Sequence, residues 1–167
     1  MKLLLAALFC SVLALDLDPR SQGSGLSKPE AASIETRHLR VTTSASAAEV
    51  VAGGRLSLFV DLAPKPKMHV YAPGQQDYLG VSLTLEKDEA FAAGAAKFPA
   101  SEKLFFKPLN ETQRVYSHPF RITQPVTIAR QRGGTVTVKG TLRYQACDDA
   151  VCYLPATVPL TWTVKIK

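Results

Sequence analysis

TVTVKGTLRYQAC, residues 135–147, and TVPLTWTVKIK, residues 157–167, alternate apolar and polar side chains almost without a break. A period of two sends successive side chains to opposite faces of an extended chain, so each stretch is a strand with one wet face and one buried face. In the first, Val136, Val138, Leu142 and Tyr144 point one way; Thr135, Thr137, Lys139, Thr141, Arg143 and Gln145 point the other. In the second, Val158, Leu160, Trp162, Val164 and Ile166 make the apolar face. Pro159 cannot donate to a ladder, which marks an edge strand or a bulge. Strands of this kind must bury their apolar face against another layer.

The rest of the chain is punctuated in the same way. A first strand is expected through Thr36–Thr43. A turn at Gly53-Gly54 leads into RLSLFVDL, which APKPK then breaks. MHVYAP reads as a short strand closed by Pro73-Gly74, and VSLTLE repeats the alternation with Val81, Leu83 and Leu85. The Ala-rich stretch from Lys87 to Lys97 has no clean apolar stripe and contains Gly94, so it reads as a loop. Another strand is expected through Val115–Ile122, interrupted at Pro119, then PVTIAR, then a turn at Gly133-Gly134. About eight short strands with turns between them predict an all-β, antiparallel β-sandwich. A chain of 167 residues with 46% hydrophobic content has room for one domain with a core that does not depend on disulfides.

The N-terminus belongs to a different grammar. Met1-Lys2 gives a short positive start, and Leu3 to Leu15 is an unbroken run of apolar or small residues ended by Asp16. Val12 and Ala14 place small or apolar residues before a cut after Ala14, the layout of a secretory signal. The run is too short to span a bilayer. Phe9 stands where a lipoprotein signal would carry Gly or Ala ahead of Cys10, which argues against lipidation. Residues 1–14 are therefore expected to be a cleaved signal peptide. DLDPRSQGSGLSKPEAAS, residues 16–33, is rich in Ser, Gly, Pro and charge, so 15–34 reads as a flexible linker and 35–167 as the domain. Cleavage removes Cys10 and leaves Cys147 and Cys152, in a compartment where disulfides form. The net charge falls from +6 to +5, because Lys2 is the only charged residue lost. With no basic run and no aromatic–basic alternation, nucleic acid is not an expected partner.

YQACDDAVCYLP, residues 144–155, holds the remaining cysteines with four residues between them. If the alternation of the preceding strand carries to its end, Cys147 falls on the polar face or in the loop, and Cys152 begins the return. Three chemistries compete. A structural staple across so short a loop removes little chain entropy, about 2 kcal/mol against nearly 5 for a bridge spanning ~100 residues. Two thiolates also begin a metal site, but His38, His69 and His118 show no ligand spacing to the pair. Thiol–disulfide exchange needs an accessible sulfur with a resolving partner nearby, and a loop pair supplies both. Asp148 and Asp149 beside the thiols would disfavour the thiolate and so favour an electron donor over an oxidant, or they are simply a solvated turn. No Ser-His-Asp set, phosphate loop or carboxylate pair points to a hydrolase. The residues alone leave staple, metal site and exchange pair open.

LRYQACDDAVCYLP resembles the active-site stretch of the N-terminal periplasmic domain of the thiol–disulfide interchange family DsbD: YQ-x-C, an acidic spacer, then C-Y-x-P. MHVYAPG resembles the family's strand carrying a Tyr near the active site, and the order from Phe98 through Val115-Tyr116 to Pro125–Ile128 also agrees. The resemblance covers roughly residues 35 to 167. It implies an immunoglobulin-like antiparallel β-sandwich and a protein-disulfide reductase activity without cofactor or metal. It implies Cys152 as the nucleophile and Cys147 as the resolving thiol, with Asp148, Asp149, Tyr71 and Tyr144 around them. It also implies a shielding aromatic on a cap loop, for which Phe105 and Phe106 in KLFFKP are the candidates. The implied partners are a membrane-embedded thiol reductase as electron source and periplasmic thioredoxin-like or disulfide-bonded proteins as recipients, the domain itself being a monomer in the periplasm. Leu154 departs from the family's C-Y-P-P ending, which alters the rigidity expected of the loop. Full-length family members continue into a membrane-spanning and a thioredoxin-like domain. With this chain ending at Lys167, its electrons are expected to come from a separate protein. The rivals from other classes are a secreted β-sandwich binding module with an inert disulfide, and a metal chaperone.

Overall fold

A computed structural model describes residues 30–75, 77–130 and 133–167. The expected signal peptide and the linker up to residue 29 lie outside the described residues. Along the rest the chain forms β1 (Ala32–Glu35), β2 (Leu39–Ala45), β3 (Glu49–Val50), β4 (Arg55–Pro64), β5 (His69–Tyr71), β6 (Ser82–Leu85), β7 (Phe91–Ala93), β8 (Glu102–Phe106), β9 (Glu111–Tyr116), β10 (Phe120–Ile128), β11 (Gly134–Tyr144), β12 (Ala146–Cys147) and β13 (Ala156–Ile166), with a short 3-10 turn at Lys107–Leu109.

The strands form three sheets: β1-β2-β4-β10-β7, β3-β13-β11-β6 and β12-β5-β9-β8. All pairings are antiparallel except that of β3 with β13. The first two sheets face each other. Leu39 and Val41 of β2, Leu56, Leu58, Val60 and Leu62 of β4, and Ile122, Val126 and Ile128 of β10 share one buried cluster with the inward residues of β11 and β13. The alternation read from the sequence is obeyed residue by residue: from Val136 to Tyr144 and from Val158 to Ile166 every even position is buried. The fold is the all-β, immunoglobulin-like antiparallel sandwich that the sequence leads one to expect.

Gly140 is one of those even positions because nothing larger fits. A Cβ there would lie 2.8 Å from Leu85 Cδ2, 2.9 Å from the Thr84 carbonyl and 3.3 Å from the Trp162 ring, closer than packed atoms approach. Two prolines sit in strands without losing ladder bonds. Pro159 lies on β13 where only β11 flanks it, β3 pairing no further than Lys165 and Ile166. Pro125 lies in β10 just where β7 has ended at Ala93. The Gly94 N–H still donates to the Pro125 carbonyl (2.9 Å). The buried Gln124 side chain donates to the Gly94 carbonyl (2.7 Å), supplying the donor that the proline nitrogen lacks.

Several expectations are corrected. The single first strand is a hairpin, β1–β2, reversed at Thr36–His38, and its pairing begins at Ala32 with Thr43, inside the stretch read as linker. The Thr36 hydroxyl donates to the Leu39 carbonyl (2.7 Å) and accepts from the Leu39 N–H (3.0 Å). A threonine therefore makes the turn without Gly or Pro. The Ala-rich loop contains β7, an edge strand pinned by the buried Phe91. The strand interrupted at Pro119 is two strands in different sheets, β9 and β10.

Candidate functional site

The site lies on the third sheet, and the hairpin after β11 explains the cysteine spacing. The Asp148 N–H donates to the Val151 carbonyl (3.0 Å) and the Tyr153 N–H to the Ala146 carbonyl (2.9 Å). Asp149 and Ala150 are thus the tip of a tight reversal. Cys147 and Cys152 are directly opposed as a bridge pair between those two bonds, at a non-hydrogen-bonded position where side chains come closest. Their Cα atoms are 4.0 Å apart and their sulfurs are bonded (2.17 Å).

Asp148 holds the reversal. Its Oδ1 accepts the N–H groups of Ala150 and Val151, both at 2.8 Å, and its Oδ2 accepts the Tyr153 hydroxyl at 2.7 Å. These donors, Tyr153 foremost, hold its carboxyl down to about 2. Asp148 is therefore the clamp of the turn, the local-turn role that its residue type favours. Asp149 is exposed. Tyr153 in turn packs against His38 at 4.6 Å between centroids, the rings tilted by 36°, with the Arg37 guanidinium over the Tyr153 ring, 5.0 Å from its centroid. Gln145 spans the gap beside it, donating to the Tyr153 carbonyl (3.2 Å) and accepting from the Leu79 N–H (3.2 Å).

The two sulfurs live in different surroundings. Cys152 is exposed on the outer arm of the hairpin. Cys147 is fully buried, because β12 pairs on its other side with β5. The expectation that Cys147 sits on the polar face or in the loop is thus overturned. The alternation stops governing at Ala146, where the chain leaves the second sheet for the third and gains a new cover. There Cys147 packs with Tyr71 and Val115, with Tyr78 and Leu104 against them.

Tyr71 reaches both sulfurs. Its hydroxyl lies 3.2 Å from the Cys147 sulfur and 3.2 Å from that of Cys152. The ring is fully buried and stacks on Tyr78 at 4.2 Å. Burial, reinforced by Tyr78 and Glu111, pushes its hydroxyl up to about 12. It therefore stays protonated and can donate to a sulfur that gains negative charge. Tyr144, the other tyrosine expected here, does not reach the pair. It is buried in the main core and shares a 2.9 Å hydrogen bond with the Thr36 hydroxyl. Of the two phenylalanines, Phe106 is buried and its ring meets His69 edge-on at 6.4 Å, whereas Phe105 is 55% exposed. Consecutive strand residues face opposite ways, and Phe106 is the one on the cysteine side.

Sequence reasoning missed two buried residues of this sheet, His69 and Gln113. His69 is the register partner of Cys147, is buried, and has no hydrogen-bond partner at Nε2 among the described residues. Burial holds its imidazole below the usual histidine range, against the opposing pull of Asp149 and Asp148. Gln113, also buried, donates to Glu111 (2.7 Å), which also accepts the Tyr78 hydroxyl. The signal for His69 was present: it stands two residues before Tyr71 in MHVY, hence on the same face of a strand.

The comparisons with known proteins agree with this site. The family described as thiol:disulfide interchange protein DsbD, N-terminal, matches residues 37–161. No curated protein matches the chain. Among solved structures, the N-terminal periplasmic domain of ScsB from Proteus mirabilis is similar with a TM-score of 0.56 and 10% identity, over 78% of this chain and 49% of that one. The chain thus spans about half the length of that ScsB structure, and the likeness is one of fold. The reduced DsbD N-terminal domain of Neisseria meningitidis gives a TM-score of 0.46 and 19% identity, over 65% of this chain and 81% of that one. Among the described residues no helix is long and apolar enough to cross a membrane. The chain belongs to the DsbD N-terminal family.

Proposed function

We propose that this member of the DsbD N-terminal family is an exported thiol–disulfide exchange domain whose Cys147–Cys152 pair carries two electrons. The observation that supports it best is the asymmetry of the pair: an exposed sulfur bonded to a fully buried one, with one tyrosine hydroxyl 3.2 Å from both. An inert staple has no need of an accessible sulfur or of a donor aimed at both. A carrier needs an attacking sulfur in reach of its partner and a resolving sulfur that cannot be attacked from outside.

In the dithiol form, the Cys152 thiolate attacks a sulfur of the partner's disulfide. A mixed disulfide forms and one partner thiolate leaves. The Cys147 sulfur, deprotonated, then attacks the Cys152 sulfur. The intermolecular bond breaks, the second partner thiolate leaves, and the pair is oxidised as the partner is reduced. The two protons shed by the domain balance those taken up by the partner's thiols. Tyr71 donates to whichever sulfur bears charge, and Phe106 lies on the side from which a cap would cover the pair. The mature protein, whose sandwich includes β1 from Ala32 onward, works in the periplasm after removal of residues 1–14. It takes electrons from a membrane-embedded thiol reductase and passes them to periplasmic thioredoxin-like or disulfide-bonded proteins.

Trapping tests this reading. The Cys147→Ser variant, with Cys152 intact, should accumulate a covalent adduct with a disulfide-bearing partner, resolved by added dithiol. The Cys152→Ser variant should form none. Equal trapping by the two variants, or by neither, overturns the assignment.

A further inference from the structure

The exchange reading leaves one step without a proton acceptor. Cys147 must lose its thiol proton before its sulfur can attack Cys152, yet Cys147 has no exposed surface, so water cannot take that proton directly. The groups around it can be taken in turn. On its own hairpin, Asp148 is engaged by three donors and held to about 2, so it is a very weak base. Asp149 is exposed and faces solvent at the hairpin tip. From β5, the Tyr71 hydroxyl stays protonated up to about 12 and can only donate. From β9, Gln113 and Val115 do not titrate, and the Glu111 carboxylate is taken up by the Tyr78 hydroxyl and the Gln113 amide, which hold it below the usual carboxylate range. That same bond to Glu111 keeps the Tyr78 hydroxyl protonated, and from β8 the facing groups are Leu104 and Phe106. His69 remains. It stands opposite Cys147 across the β5–β12 ladder, is 3% exposed, and keeps Nε2 buried with no partner among the described residues. A buried nitrogen left unpaired is unfavourable unless another state of the molecule pairs it.

Resting on the exchange reading, we infer that His69 is the proton acceptor for the resolving cysteine: its neutral imidazole takes the Cys147 thiol proton as the Cys147 sulfur attacks Cys152. The imidazolium so formed is favoured by the carboxylates of Asp148 and Asp149. It returns its proton to the departing partner thiolate or to solvent, and the ring is neutral again when the disulfide has closed. In the reverse direction the imidazolium supplies the proton that Cys147 needs as its sulfur leaves. A base is useful only when deprotonated at working pH. Burial, by holding the imidazole below 6.5, keeps it in that form at neutrality.

The reduced mature domain mixed with excess dithiobis(nitrobenzoate) separates the two steps. Attack by Cys152 releases one coloured thiolate at a rate proportional to reagent. Resolution by Cys147 releases the second at a rate independent of reagent. In the wild type, the second phase should rise with pH and level off at or below about pH 6.5, the ordinary histidine value. His69→Gln should leave the first phase within about twofold and slow the second about a hundredfold or more, the low end of a general-base contribution. Its second phase should then climb on toward about pH 8.5, the ordinary thiol range. If His69→Gln does not fold, the wild-type profile decides alone. A wild-type second phase that climbs through about pH 8 without levelling, or a His69→Gln second phase of unchanged rate and profile, overturns the inference. A wild type that releases no second thiolate overturns the exchange reading and this inference with it, a result distinct from either.

Discussion

The two buried regions of this molecule are composed by opposite rules. Between the large sheets, every inward position of β11 and β13 from Val136 to Ile166 is apolar or glycine, apart from the Tyr144 hydroxyl and the Trp162 indole N–H, both hydrogen-bonded. On the third sheet, the buried face carries His69, Tyr71, Gln113 and Cys147, and two of its polar atoms, His69 Nε2 and Gln113 Oε1, find no partner among the described residues. An unpaired buried polar group costs about 1–3 kcal/mol. Along β11 and β13 the first region is arranged as stability alone would arrange it; its exception is His38 at the β1–β2 turn, whose two buried ring nitrogens also find no partner among the described residues and whose ring lies against Tyr153 of the cysteine hairpin. The second carries a cost beside a sulfur–sulfur bond, and that is where chemistry is expected.

Changes in one region should leave the other untouched, and the sharpest break is at the reactive sulfur. Cys152→Ser should abolish reduction of a partner disulfide, read as loss of turnover with a small disulfide substrate, while the sandwich keeps its far-ultraviolet spectrum. Next is Trp162→Ala. The indole is 4% exposed and donates to the Phe59 carbonyl of the facing sheet (3.2 Å). Its removal should cost about 3–5 kcal/mol in denaturant unfolding and leave the alkylation rate of Cys152 in the folded, reduced protein unchanged. A changed alkylation rate would mean that the two regions are coupled.

Tyr71→Phe should act the other way round. Losing the hydroxyl that both sulfurs share should move the pH midpoint for alkylation of Cys152 upward, because donation favours the thiolate. Stability should change by no more than about 1 kcal/mol. The smallest effect belongs to Asp148. Its carboxyl is depressed from 3.8 to about 2 in the folded chain, so the unfolded chain takes up the proton first as pH falls. The stabilisation is fully present above about pH 4 to 5 and is lost as pH falls toward about 2. Asp148→Asn should flatten the dependence of the unfolding midpoint on pH in that window and nowhere else.

The same contrast governs what the sequence could disclose. In the sandwich, a strand packed on one side writes its burial into a period of two, so β4, β11 and β13 were legible. The β1–β2 reversal was not, because Thr36 makes it through its hydroxyl rather than through Gly or Pro. β7 was hidden because three residues are too few for a period. At the site, the motif located the cysteines, and the resemblance located Tyr71. The burial of Cys147 was not legible, since it depends on β5, far away in sequence, pairing with β12. The roles of Asp148 and Tyr144 were left open by residue type and decided by neighbours: Asp148 clamps the turn, and Tyr144 belongs to the main core. Period two separates faces of a strand, but it cannot say which third element covers the outer one.

The central claim is that the Cys147–Cys152 pair is an exchange pair rather than a clip. Its reduction potential in the folded mature domain, by equilibration in thiol buffers, tests that most directly. The account requires a value between about −200 and −270 mV, the range of thiol carriers, reached with fast exchange. A value well below about −300 mV with slow exchange would make the bond a structural disulfide and contradict the account.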